Sequence, residues 1–215
     1  MNLAESTIMN AIQHSMSKNC YANIVLAGPI GVGKRNMANV IAKWLNAVTF
    51  EKTVSVFSQE DYLTDLSRLV TDAYGGKPID STGAYEIRRY LSDAEDFISE
   101  EHEYFKISRD VEKPAEKIEQ IYGLQPKGKV KIFTGPHAIY LFKHFDIKIP
   151  NAIYIFMNAD VRTCIHRRIQ NGIMVPTLLT DRKAWKEYFD YVVAENEAHI
   201  LPQRDMADIV VNINL

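Results

Sequence analysis

The stretch "AGPIGVGKRN", residues 27–36, decides how the chain is read. Gly28, Gly33 and Lys34 satisfy the pattern G-x-x-x-x-G-K, directly after the apolar run "NIVLAG" (23–28) and before a segment of helical periodicity. Between a strand and a helix such a loop curls so that backbone N–H groups point at phosphate oxygens, and the helix start adds the positive end of its dipole. The expected phosphate-binding residues are Gly28, Ile30, Gly31, Val32, Gly33, Lys34 and Arg35, with Lys34 neutralising the outer phosphates. The last step breaks the pattern. A serine or threonine, whose hydroxyl ligates the metal, is expected after the lysine, and Arg35 stands there. A guanidinium has no lone pair for a metal and is permanently cationic. It can pair with phosphate itself, or point to solvent and leave the site disabled.

Outward from the loop, Met37, Val40, Ile41, Trp44 and Leu45 share a helical face and lead to a second apolar run, "TVSVFS" (53–58), which makes a β-α-β unit and predicts a parallel sheet. "KVKIFTG" (129–135) and "AIYIFMN" (152–158) read as buried strands, the second followed by the basic helix "DVRTCIHRRIQNG" (160–172). A last helix over 181–201 leads into a short strand, "DIVVNI" (208–213). Residues 61–124 are charged and helical in tendency, with "YGGKPIDSTG" (74–83) as a loop and "YLSDAEDFISEEHEYF" (90–105) as an acidic amphipathic helix. Leu3, Ile8, Met9, Ile12 and Met16 recur at helical spacing and predict a leading amphipathic helix within residues 1–20. No repeat or linker marks a boundary, so the 215 residues read as one α/β domain of three layers, α/β/α, with a mainly parallel sheet.

Composition narrows the function. A formal net charge of -2 argues against a general nucleic-acid or membrane-surface binder and leaves a small ligand as the expected partner. Cys20 and Cys164 have no partner spacing for a disulfide framework or a zinc site and are expected as buried thiols in a reducing cytosol. The N-terminus lacks the features of a secretory signal, and no apolar run is long enough for a membrane span, which points to a cytoplasmic protein. His137, His144 and His166 are expected to be ordinary polar residues.

Beyond the loop, further segments in order resemble the uridine kinase and phosphoribulokinase family of P-loop kinases. "SQEDY" (58–62) is similar to the stretch whose first acid takes the proton from the substrate hydroxyl, which implies that Glu60, with Asp61 beside it, is the general base; acids that merely cap a following helix would look the same. "DSTGAYE" (80–86) resembles the segment bordering the nucleoside pocket through Asp80, Ala84 and Tyr85, with Ser81 and Thr82 in place of His and Pro. "YFKISRD" (104–110) resembles a substrate-binding region through Tyr104, Ser108 and Arg109, although a solvated helix face explains the same residues. In "KVKIFTGP" Thr134 replaces the glutamate that helps hold the metal's hydration shell. The segment 153–172 resembles the strand and lid helix of the family, with Arg167 and Arg168 in register and Asn171-Gly172 replacing an expected Arg-Asp, and the ending at Pro202, Ala207 and Asp208 also matches.

The resemblance implies a P-loop NTPase-like fold with a helical lid at about 160–185. It implies ATP or another nucleoside triphosphate as cosubstrate, with magnesium contacts altered and no metal ligand assigned. Lys34, Glu60, Asp61, Arg167 and Arg168 are then the catalytic candidates, and Asp80, Tyr85 and Arg109 the substrate-binding ones. The reading favoured is a phosphotransferase acting on a hydroxyl of a nucleoside or similar small metabolite. The alternative is a degenerate relative that binds a nucleotide or phosphorylated ligand, or serves as a protein-interaction module. The family forms dimers and tetramers, so a homo-oligomer is compatible with either.

Overall fold

The computed structural model describes residues 2–49, 54–64, 79–99, 108–109, 117–118, 129–171 and 182–213. Helix α1 (Leu3–Asn19) starts at a reciprocal cap: the Asn2 side chain accepts from the Glu5 N–H at 2.9 Å, and the Glu5 carboxylate accepts from the Asn2 N–H at 2.8 Å. Its buried stripe is Ala4, Ile8, Met9, Ile12 and Ser15. Leu3, expected on that stripe, is 84% exposed, because Ala4, one residue and about 100° further round, takes the inward position. Cys20 closes the helix in a left-handed conformation at φ 60° and is exposed, which corrects the expectation of a buried thiol; Cys164 is buried as expected.

Strand β1 (Ala22–Ala27) leads through the glycine loop into α2 (Lys34–Thr49) and then β2 (Val54–Ser58). After α3 (Ile87–Ser99) come two short strands, β3 (Ser108–Arg109) and β4 (Lys117–Ile118), paired antiparallel in a region expected to be helical. Strand β5 (Val130–Thr134), helix α4 (Ala138–His144) and strand β6 (Ala152–Asn158) follow. The chain then runs through α5 (Val161–Gln170), α6 (Arg182–His199) and a 3-10 turn (Leu201–Met206) to β7 (Ile209–Asn212). The sequence reading contained no α4. Its seven residues bury Ala138, Ile139, Leu141 and Phe142, too continuous an apolar run to show a helical period.

Five strands form one sheet in the order β2-β5-β1-β6-β7, every neighbouring pair parallel. Alternation along β1 divides the core. Ile24 and Leu26 face α1 and α2, with Ile12, Ile41, Ile132 and Met157, whereas Val25 and Ala27 face α3 and α4, with Phe57, Tyr90, Phe133 and Phe142. Helices therefore cover both faces, the arrangement that parallel sheets require. A smaller cluster of Val161, Ile165, Tyr188, Phe189 and Val192 holds α5 against α6. No helix among the described residues is long and apolar enough to cross a membrane.

Candidate phosphate site

Strand β1 lies between β5 and β6, and the chain leaves it towards β2 on one side and returns through β6 on the other. The carboxyl end of such a central strand is where open α/β sheets leave a crevice. The glycine loop grows from that end. Gly28, Gly31 and Gly33 take φ of 144°, 95° and 101°, a region that side-chain-bearing residues enter only with strain. At two of them a side chain also has no room. A Cβ on Gly28 would collide with the Met157 carbonyl of β6, and one on Gly31 would lie 2.6 Å from the Cys164 carbonyl of α5. The loop is thus wedged between β6 and α5 by its glycines.

Lys34 opens α2, is 3% exposed, and donates through Nζ to the carbonyls of Gly28 and Pro29, both at 3.1 Å. Burial pulls its ammonium below the ordinary lysine value, while Glu60, at 3.8 Å, pulls the other way. Val32 is buried in the core, and Ile30 packs against Leu63, Ile79, Ala84 and Tyr85. The phosphate loop is therefore in contact with the segment expected to border a substrate.

Glu60 and Asp61 lie in a 3-10 turn (Gln59–Tyr62) at the end of β2, and they form that turn rather than cap a longer helix. Arg35 is half exposed and reaches both: its Nη2 lies 3.2 Å from Asp61 Oδ1 and 3.8 Å from Glu60 Oε2. The guanidinium turns to the two carboxylates rather than straight to solvent, and half of the side chain stays exposed. Lys34, Arg35, Glu60 and Asp61 make one cluster of two cations and two anions.

The two arginines at the end of α5 part company. Helix α5, capped by the Asp160 carboxylate on the Thr163 N–H, points Arg167 across the loop, where Nη1 donates to the Val32 carbonyl at 3.5 Å. Arg168 is buried instead, its Nη1 3.1 and 3.0 Å from the two oxygens of Asp80, and Asn196 of α6 donates to Asp80 Oδ1 at 3.3 Å. Burial alone would lower the Arg168 pKa, but Asp80 and the nearby Tyr188 and Tyr85 outweigh it and raise the value. Tyr85 is buried and donates to the Ile79 carbonyl at 3.0 Å. The backbone of Arg109 lies in β3, while its side chain, Tyr104 and residues 172–181 of the expected lid fall outside the described residues.

Sequence reasoning set His137 aside. It is fully buried three residues past Thr134, with its ring 6.0 Å from that of Tyr85 and its backbone N–H donating to Gln59 Oε1 at 3.0 Å. Neither ring nitrogen has a hydrogen-bond partner among the described residues. Burial drives its pKa down to about 4, against the charge and backbone of Asp80, with Lys34 and His199 lowering it further. The signal available in the sequence was its place just beyond the end of a buried strand. His144 stacks on Tyr140, and His166 leans on Phe189, as ordinary packing residues.

A divalent cation finds a poor fit in this cluster. The residue after Lys34 offers no lone pair, Thr134 at the end of β5 offers no charge, and the carboxylates of Glu60 and Asp61 already face Arg35.

No family model matches the sequence, and no curated protein matches it. Solved structures do. A candidate fructose transport system kinase from Silicibacter sp. TM1040 aligns at a TM-score of 0.61 and 15% identity, over 98% of this chain and 99% of that one. A candidate uridine kinase from Bacillus stearothermophilus aligns at 0.56 and 13% identity, over 95% and 98%. YFH7 of Saccharomyces cerevisiae, a candidate P-loop kinase, aligns at 0.59 and 9% identity over the whole of both chains. At these identities the likeness is one of backbone: the chain has the layered α/β fold of P-loop kinases.

Proposed function

We propose that this protein is a phosphotransferase that moves the terminal phosphoryl group of ATP, or another nucleoside triphosphate, onto a hydroxyl of a nucleoside or similar small metabolite. The observation that carries the reading is the wedged glycine loop at the carboxyl end of β1, with Lys34 at the helix start and the Glu60 carboxylate 3.8 Å from its ammonium. The loop amides and Lys34 hold the phosphates. Glu60, partly open to solvent, takes the proton of the attacking hydroxyl, a role that needs a carboxylate within hydrogen-bond reach. Arg167 reaches over the loop from α5 and steadies charge on the transferring group. Asp80, held by Arg168 and Asn196, and Tyr85 form the acceptor side, which Ile30 joins to the loop. The kinase names of the structural neighbours are consistent with this reading and leave the acceptor to be identified.

The second reading, a non-catalytic binder of a nucleotide or phosphorylated ligand, draws on the pairing of Arg35 with both carboxylates. One experiment separates them: transfer of labelled terminal phosphate from ATP to a panel of nucleosides and sugars. The account expects a labelled acceptor, and a loss of roughly 10²–10⁴ in kcat for Glu60→Gln. Binding of ATP with no labelled acceptor across the panel would favour the binder.

A further inference from the structure

Triphosphates usually enter a P-loop with magnesium, which bridges their outer oxygens and offsets their charge. In this protein the residues on the metal's side of the loop do not suit one. Arg35 stands in the first turn of α2 beside Lys34, and its guanidinium lies 3.2 Å from Asp61 and 3.8 Å from Glu60. These are the two acids at the end of β2 nearest the loop. Thr134, at the end of the adjacent β5, is buried and uncharged. A dication placed here would meet two fixed cations, Lys34 and Arg35, and anions that those cations already offset.

Arg35 is also built to do more than hold the carboxylates. Half of its side chain is exposed, and a guanidinium carries five N–H donors, of which the ion pairs to Glu60 and Asp61 involve one terminal nitrogen. Among the described residues the remaining donors meet no partner, which leaves them to phosphate oxygens in the forked geometry that suits them. We infer that Arg35 is a resident cation standing in the metal's place, so that this loop takes a polyphosphate without a divalent ion. The inference rests on the polyphosphate reading above. The two acids then act as the anchor that aims Arg35, and the ligand's charge is offset by Lys34, Arg35 and Arg167 instead of by a metal.

The test is calorimetric titration of inorganic pyrophosphate and of ADP into the full chain, in EDTA and in magnesium, for the wild type and Arg35→Ser. Arg35 is half exposed, so its replacement leaves the core untouched. The expected result is binding in EDTA that magnesium changes by less than about threefold, and a loss of about tenfold or more in EDTA for Arg35→Ser. Binding that requires magnesium, or an Arg35→Ser variant as tight in EDTA as the wild type, overturns the inference and leaves the polyphosphate reading standing. Failure of both ligands to bind in either buffer overturns both.

Discussion

Gly31 and His137 show how single residues constrain this site. At Gly31 a φ of 95°, strained for any residue with a side chain, and the 2.6 Å that would separate an added Cβ from the Cys164 carbonyl act together. Gly31→Ala is expected to lower stability by at least about 2 kcal/mol, since backbone on backbone cannot relax as a flexible side chain can. A shift in the denaturant midpoint checks it. His137 has its folded pKa, about 4, below the unfolded value near 6.5. Between those values the unfolded chain binds the proton more readily, so the contribution is present above pH 6.5 and is lost as pH falls towards 4. The loss by pH 4 is on the order of 3 kcal/mol. Burial sets the low pKa, Asp80 opposes it, and Lys34 and His199 add to the fall. The difference in unfolding free energy between the wild type and His137→Leu, followed from pH 7 to 4, should therefore shrink by that amount; a constant difference would contradict it. Gly28, Gly33 and Lys34 were legible in the sequence because a loop that needs positive φ must spell glycine. His137 was not, since nothing in a lone histidine reveals a packed polar interior.

At the scale of elements, Asp80 ties three segments together: its own turn, α5 through Arg168, and α6 through Asn196. The pair is buried, so removing one partner strands a charge. Asp80→Ala is expected to cost about 3–5 kcal/mol, which for a chain of this size is a melting-temperature fall of roughly 10 °C. Asp80→Leu combined with Arg168→Met should recover most of that stability, because an apolar pair needs no charge compensation. Thermal unfolding of the two variants decides the matter, and equal losses in both would refute the latch. The register of Arg167 and Arg168 was readable from the basic helix, but their separation was not. Adjacent residues on a helix point about 100° apart, and only the packing of α5 on the loop sends one across Val32 and the other into the interior. The short hairpin of β3 and β4 escaped notice because two-residue strands leave no alternation to read.

At the scale of the whole molecule, the order β2-β5-β1-β6-β7 gathers the ends of β1, β2 and β5 on one side of the sheet. Residues far apart in the chain thereby meet: Lys34 and Glu60 follow β1 and β2, and Thr134 ends β5 between them. Four of the five strands were visible as apolar runs and the fifth as a short strand at the end of the chain, so the layered parallel fold could be read from the sequence. The pairing of Arg35 with Glu60 and Asp61 could not, since it depends on where β2 ends relative to the loop. The central claim is that residues 28–35 hold a polyphosphate through Lys34. Its most direct test is the perturbation of backbone amide resonances on titration with ATP, in the wild type and in Lys34→Met. The account predicts changes centred on residues 28–35 in the wild type and a weakening of at least about tenfold in the variant. Wild-type spectra unmoved by ATP, or equal affinity in Lys34→Met, would contradict it.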